Sequence, residues 1–152
     1  MKVDFYDSKR RKKLIEQLNE RFGITEIPTI LFETGKEKIR GFTGDLTIDE
    51  LYDLADIAHV EFLGLYLFKP EGERSIRVGF DGALLLKKQI SKSIIDINDE
   101  QLAVWMCGDN LPFVLDKGMY IVRHGYDFFG CAISDGEKLI NFVPKERRIR
   151  RS

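Results

Sequence analysis

Cysteine is scarce. Cys107 and Cys131 are the only two and lack CxxC spacing, which excludes a disulfide framework. Long apolar runs are missing as well. The richest stretches, FLGLYLF and ALLL, have the length of a core strand or helix, far short of the ~18 residues of a membrane span. The N-terminus MKVDFYDSKRRKK lacks the apolar stretch of a secretory signal. No internal repeat or low-complexity linker occurs. These absences lead to the expectation of a cytoplasmic protein with no membrane association.

Catalytic signatures are missing in the same way. There is no GxxxxGK[ST] loop, no GxGxxG, no HExxH, no GxSxG and no kinase set. Gly41 and Gly44 with Asp45 sit in a turn, without the strand-to-helix context of a dinucleotide site. His59 and His124 are far apart, and neither has a serine or cysteine partner by spacing. Zinc ligation by Cys107, Cys131, His59 and His124 would lack paired CxxC or HxxxH spacing. Cys131, in FFGCAI, reads instead as a small buried residue of a central strand. The expectation is no catalytic residue, no metal and no cofactor.

What is present is enough for one ordinary domain or two small ones: 152 residues, 43% apolar and 32% charged. The formal net charge is −1, from 24 Lys and Arg against 25 Asp and Glu, but the signs are segregated. Lys9, Arg10, Arg11, Lys12 and Lys13 are consecutive. From Lys138 onward stand Lys138, Lys145, Arg147, Arg148, Arg150 and Arg151 against the single acid Glu146. Acids gather between Asp45 and Asp56. Segregated charge builds local fields that a neutral total conceals, so a polyanionic partner stays open.

Residues 1–58 read as a small α/β part. A helix from Ser8 to Phe22 follows from Ile15, Leu18 and Phe22 on one face and Gly23 as a stop. Ile27 to Phe32 and Lys38 to Phe42 form a hairpin through Thr34-Gly35, with Pro28 confined to a strand start or edge. Thr47 and Glu50 make a capping box for a second helix whose stripe is Leu51, Leu54, Ala55 and Ala58.

Residues 59–152 are richer in strands. Val60 to Phe68 is followed by a turn at Pro70-Glu71-Gly72, then Ser75 to Phe80 alternates and Asp81-Gly82 opens Ala83 to Lys88. Ser93 to Ile97 is a strand, and Asn98 with Gln101 caps a helix whose inner face is Leu102, Trp105 and Met106, ending at Gly108. Met119 to Arg123, Phe128 to Ile133 and Lys138 to Val143 complete a strand series, the last two joined by Asp135-Gly136. Short strands at this spacing predict a small barrel or curled sheet.

Two basic clusters carry the functional signal. Lys9 to Lys13 occupy the first turns of a helix, where the dipole disfavours each cation by ~0.3–1 kcal/mol, so phosphate contact competes with the reading of a solvated face. The C-terminal cations follow an ordered strand and begin directly after Pro144, which holds them on a rigid element. Lys87, Lys88 and Lys92 form a third patch. Phe128, Phe129, Phe142 and Trp105 sit at core-like positions, and Tyr126 in the HGYD turn is the candidate for an exposed ring.

The stretches RVGFDGALLLKKQI, NDEQLAVWMCGDN, KGMYIVRHGYDFFGCAI and EKLINFVPKERRIR resemble the PUA-like RNA-binding domain, named after pseudouridine synthase and archaeosine transglycosylase. The nearest version is the one that follows the catalytic domain of Sun/Fmu-type RNA cytosine-5 methyltransferases. Its Asn-x-x-Pro-Lys-x-x-Arg ending corresponds to Asn141, Pro144, Lys145 and Arg148. The resemblance runs from roughly Glu61 to Arg151. A small α/β part before a PUA domain is also similar to small archaeal and eukaryotic ribosome-biogenesis proteins. The methyltransferases' cofactor loop and catalytic cysteines have no counterpart here, since Cys107 follows Met106 and not proline.

The resemblance implies an α+β protein with a small N-terminal α/β part packed against a C-terminal PUA-like β-barrel. It implies docking onto structured rRNA or tRNA without catalysis, with Gly82, Lys87, Lys88, Asn141, Lys145, Arg147 and Arg148 near the RNA. An RNA-modifying enzyme or ribosomal protein is the further partner class. The rival is a protein-interaction adaptor using the acidic helix from Thr47 to Ala58; an enzyme built on His124 as acid or base is the third reading.

Overall fold

The computed structural model describes residues 3–35, 37–57 and 64–151. The expected boundary at 58/59, His59 and the first residues of the strand expected from Val60 lie outside them.

Helix α1 spans Ser8–Phe22, as the periodicity predicts. The Asp7 carboxylate accepts the Arg10 N–H at 2.8 Å and closes its N-terminus. At the other end Gly23 adopts φ 84°, a left-handed conformation that lets its N–H reach the Asn19 carbonyl at 3.0 Å. The buried stripe is Leu14, Leu18 and Phe22; Ile15 is only half-buried, so the face is rotated from the expected one.

Strands β1 (Asp4–Phe5), β2 (Ile30–Thr34) and β3 (Lys38–Phe42) pair antiparallel in that order. β2 starts later than predicted because the carbonyls of Ile27 and Thr29 are taken by the Arg11 guanidinium instead of a strand neighbour. Helix α2 (Ile48–Ile57) begins at the expected capping box: the Thr47 N–H donates to Glu50 Oε2 at 2.7 Å, and Glu50 N–H to Thr47 Oγ1 at 3.2 Å. These bonds hold the Glu50 carboxyl below its ordinary pKa. Leu51 is buried and Leu54 partly so; Ala58 lies outside the described residues.

Strands β4 (Leu65–Glu71) and β5 (Ser75–Val78) do not join the C-terminal strands. β4 pairs with β3 (Ile39 with Phe68, Gly41 with Leu65), giving a five-stranded sheet in the order β1-β2-β3-β4-β5. Pro70 lies within β4, so the turn falls after Glu71. Helix α3 (Phe80–Leu85) replaces the end of the strand expected over Ser75 to Phe80 and the glycine turn after it. Gly82 is a buried helical residue here, because a side chain at this position would come within 2.4 Å of the Leu67 carbonyl oxygen.

The second sheet follows the order β6-β7-β8-β9. β6 (Ile94–Asp96) runs parallel to β7 (Gly118–His124), and helix α4 (Asp99–Met106) lies in the connection between them. β8 (Asp127–Ser134) and β9 (Leu139–Asn141) continue antiparallel. The Asp135 N–H reaches the Lys138 carbonyl at 3.3 Å, and Gly136, at φ 96°, lies at the tip with Glu137. The hairpin tip is thus one residue later than Asp135-Gly136. No closed barrel forms among the described residues. The expected barrel fails because strand pairing is non-local: β4 and β5 find β3 instead of β6 to β9.

Two apolar clusters hold these elements. One packs Leu14, Leu18 and Phe22 of α1 against Leu67 and Phe68 of β4 and Met119, Ile121 and Cys131 of the second sheet. The other centres on Trp105, with Met106, Ile97, Val122, Ala132, Leu139 and Val143. The Trp105 side chain is fully buried and its Nε1–H donates to the Phe129 carbonyl at 2.9 Å. Burying an indole without a partner for its N–H would cost about 1–3 kcal/mol, and this bond removes that penalty. No helix among the described residues is long and apolar enough to cross a membrane.

Candidate nucleic-acid interface

The C-terminal cations emerge where the strand expectation placed them, after β9 and Pro144, but most are engaged within the chain. Lys145–Arg147 form a single 3₁₀ turn. Arg147 Nη2 meets Asp81 Oδ1 of α3 at 2.7 Å while its guanidinium lies 5.6 Å from the centre of the Phe80 ring. Arg148 donates from Nε to the Val143 carbonyl at 3.0 Å and lies over Gly108, whose φ of 95° and missing side chain leave room for it. The Ile149 N–H donates to the Met106 carbonyl at 2.8 Å, and Arg151 pairs with Asp109. This strap binds the chain after Pro144 to the end of α4. Lys145 and Arg150 are exposed and form no ion pair with a described residue.

Asn141 sits at the inner edge of the strap. Its Nδ2 group donates to the Trp105 carbonyl at 2.7 Å and the Asp109 carbonyl at 2.9 Å, and its Oδ1 accepts the Val143 N–H at 2.8 Å. Both amide hydrogens are spent on backbone groups. In this conformation the side chain joins β9 to the end of α4 and has no donor left for a base.

The third patch divides. Lys87 Nζ lies 3.5 Å from Asp127 Oδ1, while Lys88 and Lys92 are exposed. The segment that carries them is tied to α1: the Ser91 and Lys92 N–H groups both donate to the Phe22 carbonyl, at 2.9 and 3.3 Å. Gln89 clamps the next turn, accepting the Thr25 and Glu26 N–H groups at 3.0 and 2.9 Å and donating to the Glu26 carbonyl at 2.9 Å.

The five consecutive cations of the N-terminal run are not equivalent in the structure. Arg10 bridges Asp4 and Glu33, both at 2.9 Å, and lies 4.1 Å from the centre of the Tyr6 ring. Burial disfavours its charge, but Asp4 and Glu33 outweigh that and raise its pKa. Arg11 donates to the Thr29 carbonyl at 2.7 Å and to the Ile27 carbonyl. Lys9, Lys12 and Lys13 are exposed and form no ion pair with a described residue. The compensation for cations at a helix start is therefore visible for the arginines, through Asp4 and Glu33 for Arg10 and backbone carbonyls for Arg11, and concerns packing.

Other groups weighed for chemistry are placed as follows. Cys131 is buried in β8, and burial pushes its thiol up to about 11. Cys107 follows α4 and is partly exposed. His124 Nε2 lies 2.7 Å from Asp99 Oδ1, a pair the sequence did not link, but the Asp99 side chain is 95% exposed, so the pair is solvated. Tyr126 is 94% exposed, as expected. Phe128 is buried, while Phe142 is half-buried with the Arg77 guanidinium 4.3 Å from its ring centre.

The segment from β6 through α4 to the strap coincides with a known family model. Residues 92–149 match the methyltransferase RsmF PUA domain. This segment is similar to a PUA domain. The PUA match includes Asn141, Lys145, Arg147 and Arg148 and leaves Gly82, Lys87 and Lys88 before its start. It also excludes α1 and the whole five-stranded sheet. No curated protein matches the chain.

Proposed function

We propose that this chain, which carries a PUA-like segment, binds structured rRNA or tRNA through exposed lysines, and that it works without catalysis in RNA modification or ribosome biogenesis in the cytoplasm. The observation that carries the reading is the match of residues 92–149 to the PUA domain of an RNA methyltransferase. The basis is a fold-level likeness, supported by local charge. Phosphates are held by lysine ammonium groups, and shape is read more than sequence. The burial and high pKa of Cys131 and the solvated His124–Asp99 pair support docking over chemistry.

Crosslinking the purified protein to total cellular RNA, followed by sequencing of the bound fragments, tests the reading. Enrichment of a defined rRNA or tRNA region at physiological salt is the expected result. Uniform recovery of all RNA, or none at that salt, would overturn it. A second reading, an adaptor that targets an RNA-modifying enzyme, is favoured by helix α2. There Ile48 and Tyr52 are 43% and 44% exposed beside the exposed acids Asp49, Asp53 and Asp56. Loss of RNA binding at physiological salt would favour that adaptor.

A further inference from the structure

We infer that the RNA path runs along helix α1, from Lys9, Lys12 and Lys13 to the lysines of the 88–92 segment, outside the PUA-like strap. The inference rests on the RNA-binding reading above. It starts from a division of labour: Arg147, Arg148 and Arg151 at the C-terminus, and Arg10 and Arg11 at the N-terminus, hold protein groups. A guanidinium already donating to a carboxylate or carbonyl gives up those bonds to take a phosphate. An exposed lysine without such a bond gives up only hydration and counterions.

Lys12 lines a groove along α1, with Lys9 and Lys13 exposed on the same first turns, and the groove leads toward the segment that carries Lys88 and Lys92. A groove of about 360 Å³ begins at Ser8, Arg11 and Lys12, passes Ile15, Glu16 and Asn19, and ends at Thr25. Thr25 is the residue clamped by Gln89, so the far end of the groove meets the segment that carries Lys88. The backbone bonds from Ser91 and Lys92 to the Phe22 carbonyl fix that end against the last turn of α1. From Lys12 to Phe22 the helix rises about 15 Å, at about 1.5 Å per residue. That length accommodates two to three phosphates of an extended strand. Half-buried Ile15 supplies an apolar floor and Asn19 a hydrogen-bonding group between the two cationic ends. Glu16 is the opposing charge in the groove; with Glu20 on the same helix and Glu26 beyond it, three acids stand among five lysines, so the track keeps a cationic excess.

The test titrates a fluorescein-labelled twelve-nucleotide oligouridylate, and a hairpin RNA displaying a single-stranded loop, at 50 to 200 mM salt. Four proteins are compared: the wild type, K9A/K12A/K13A, K88A/K92A and K145A/R150A. The substitutions are on exposed side chains, and circular dichroism with a urea midpoint verifies that each variant is folded. At ~0.7 per contact, the slope of log K against log salt should flatten by about 2 for the α1 triple and about 1.4 for the 88/92 pair, and stay unchanged for K145A/R150A. The wild type then loses roughly 20-fold more affinity over that salt range than the α1 triple. Wild-type slope in the α1 triple, with K145A/R150A flattened, would overturn the path and leave RNA binding standing at the strap. A wild type that binds neither RNA at 150 mM salt would remove the RNA-binding reading itself.

Discussion

The two basic runs look alike as strings of letters and differ in what surrounds them. Around Lys145–Arg151, three of four arginines are used as bolts: Arg147 to Asp81, Arg148 to the Val143 carbonyl, Arg151 to Asp109. In Lys9–Lys13 the two arginines do the same work, while the three lysines project into solvent. The difference follows from side-chain chemistry. A planar guanidinium offers five donors in a fixed fork and matches carbonyls and carboxylates, whereas an ammonium is a compact, strongly hydrated charge that stays in water. Counting cations therefore overstates the surface available to a polyanion, more so at the arginine-rich end.

The largest expected effect removes what the strap rests on. Trp105→Ala deletes a fully buried indole and its bond to Phe129, and should cost ~3–5 kcal/mol in urea denaturation. A native tryptophan emission maximum typical of full water exposure would contradict this placement.

Asn141→Ala comes next. It strands the Asp109 carbonyl and the Val143 N–H at the inner edge of the strap and leaves the Trp105 carbonyl with its bond from the Gly108 N–H, and should cost about 1–3 kcal/mol in the same measurement. RNA preference should be unchanged. A variant of wild-type stability with altered sequence preference would reverse the assignment and return Asn141 to the RNA.

The arginine–lysine contrast is tested inside one run. Arg11→Ala releases the carbonyls of Ile27 and Thr29 and should destabilise by about 1 kcal/mol, while Lys12→Ala should stay within about ±0.5 kcal/mol. Equal effects of the two would dissolve the distinction.

The smallest effect is electrostatic and concerns a pair in the second sheet. The Arg123 guanidinium donates to both Asp96 oxygens, at 2.6 and 2.9 Å, and holds that carboxyl below its ordinary pKa. A depressed folded-state pKa contributes stability above the unfolded value of about 3.9, and that contribution is lost as pH falls through the folded value. In Asp96→Asn the acid limb of the stability profile should be shallower below about pH 4. An unchanged limb would show that the pair does not persist in solution.

What was legible in the sequence was local. Helix α1 with Gly23, the capping boxes at Thr47 and Asn98, and the burial of Trp105 depend on residues within one or two turns of each other, and these the sequence displays. The barrel does not follow from the sequence because the β3–β4 pairing joins strands across the boundary expected at 58/59. Helix α3 was hidden because Ser75 to Phe80 alternates like a strand, while Gly79 and Gly82 permit a close seat on Leu67 only once β4 is in place. The partners of the C-terminal arginines were out of reach for the same reason. Asp81 is 66 positions from Arg147, and no window of charge counting spans that distance.

Gln89 has a consequence for amide exchange. Its side chain acts as a substitute peptide group, accepting the N–H of Thr25 and Glu26 and donating to the Glu26 carbonyl across separations of 64 and 63 residues. Those two amides belong to an irregular connection, where exchange with deuterium is ordinarily fast. Here they exchange only when the Gln89 side chain leaves the turn, while the Ser91 bond to Phe22 holds the backbone of the 86–92 segment in place. Protection at Thr25 and Glu26 therefore reports the seating of one side chain, and Gln89→Ala should return both amides to the fast exchange of an ordinary loop.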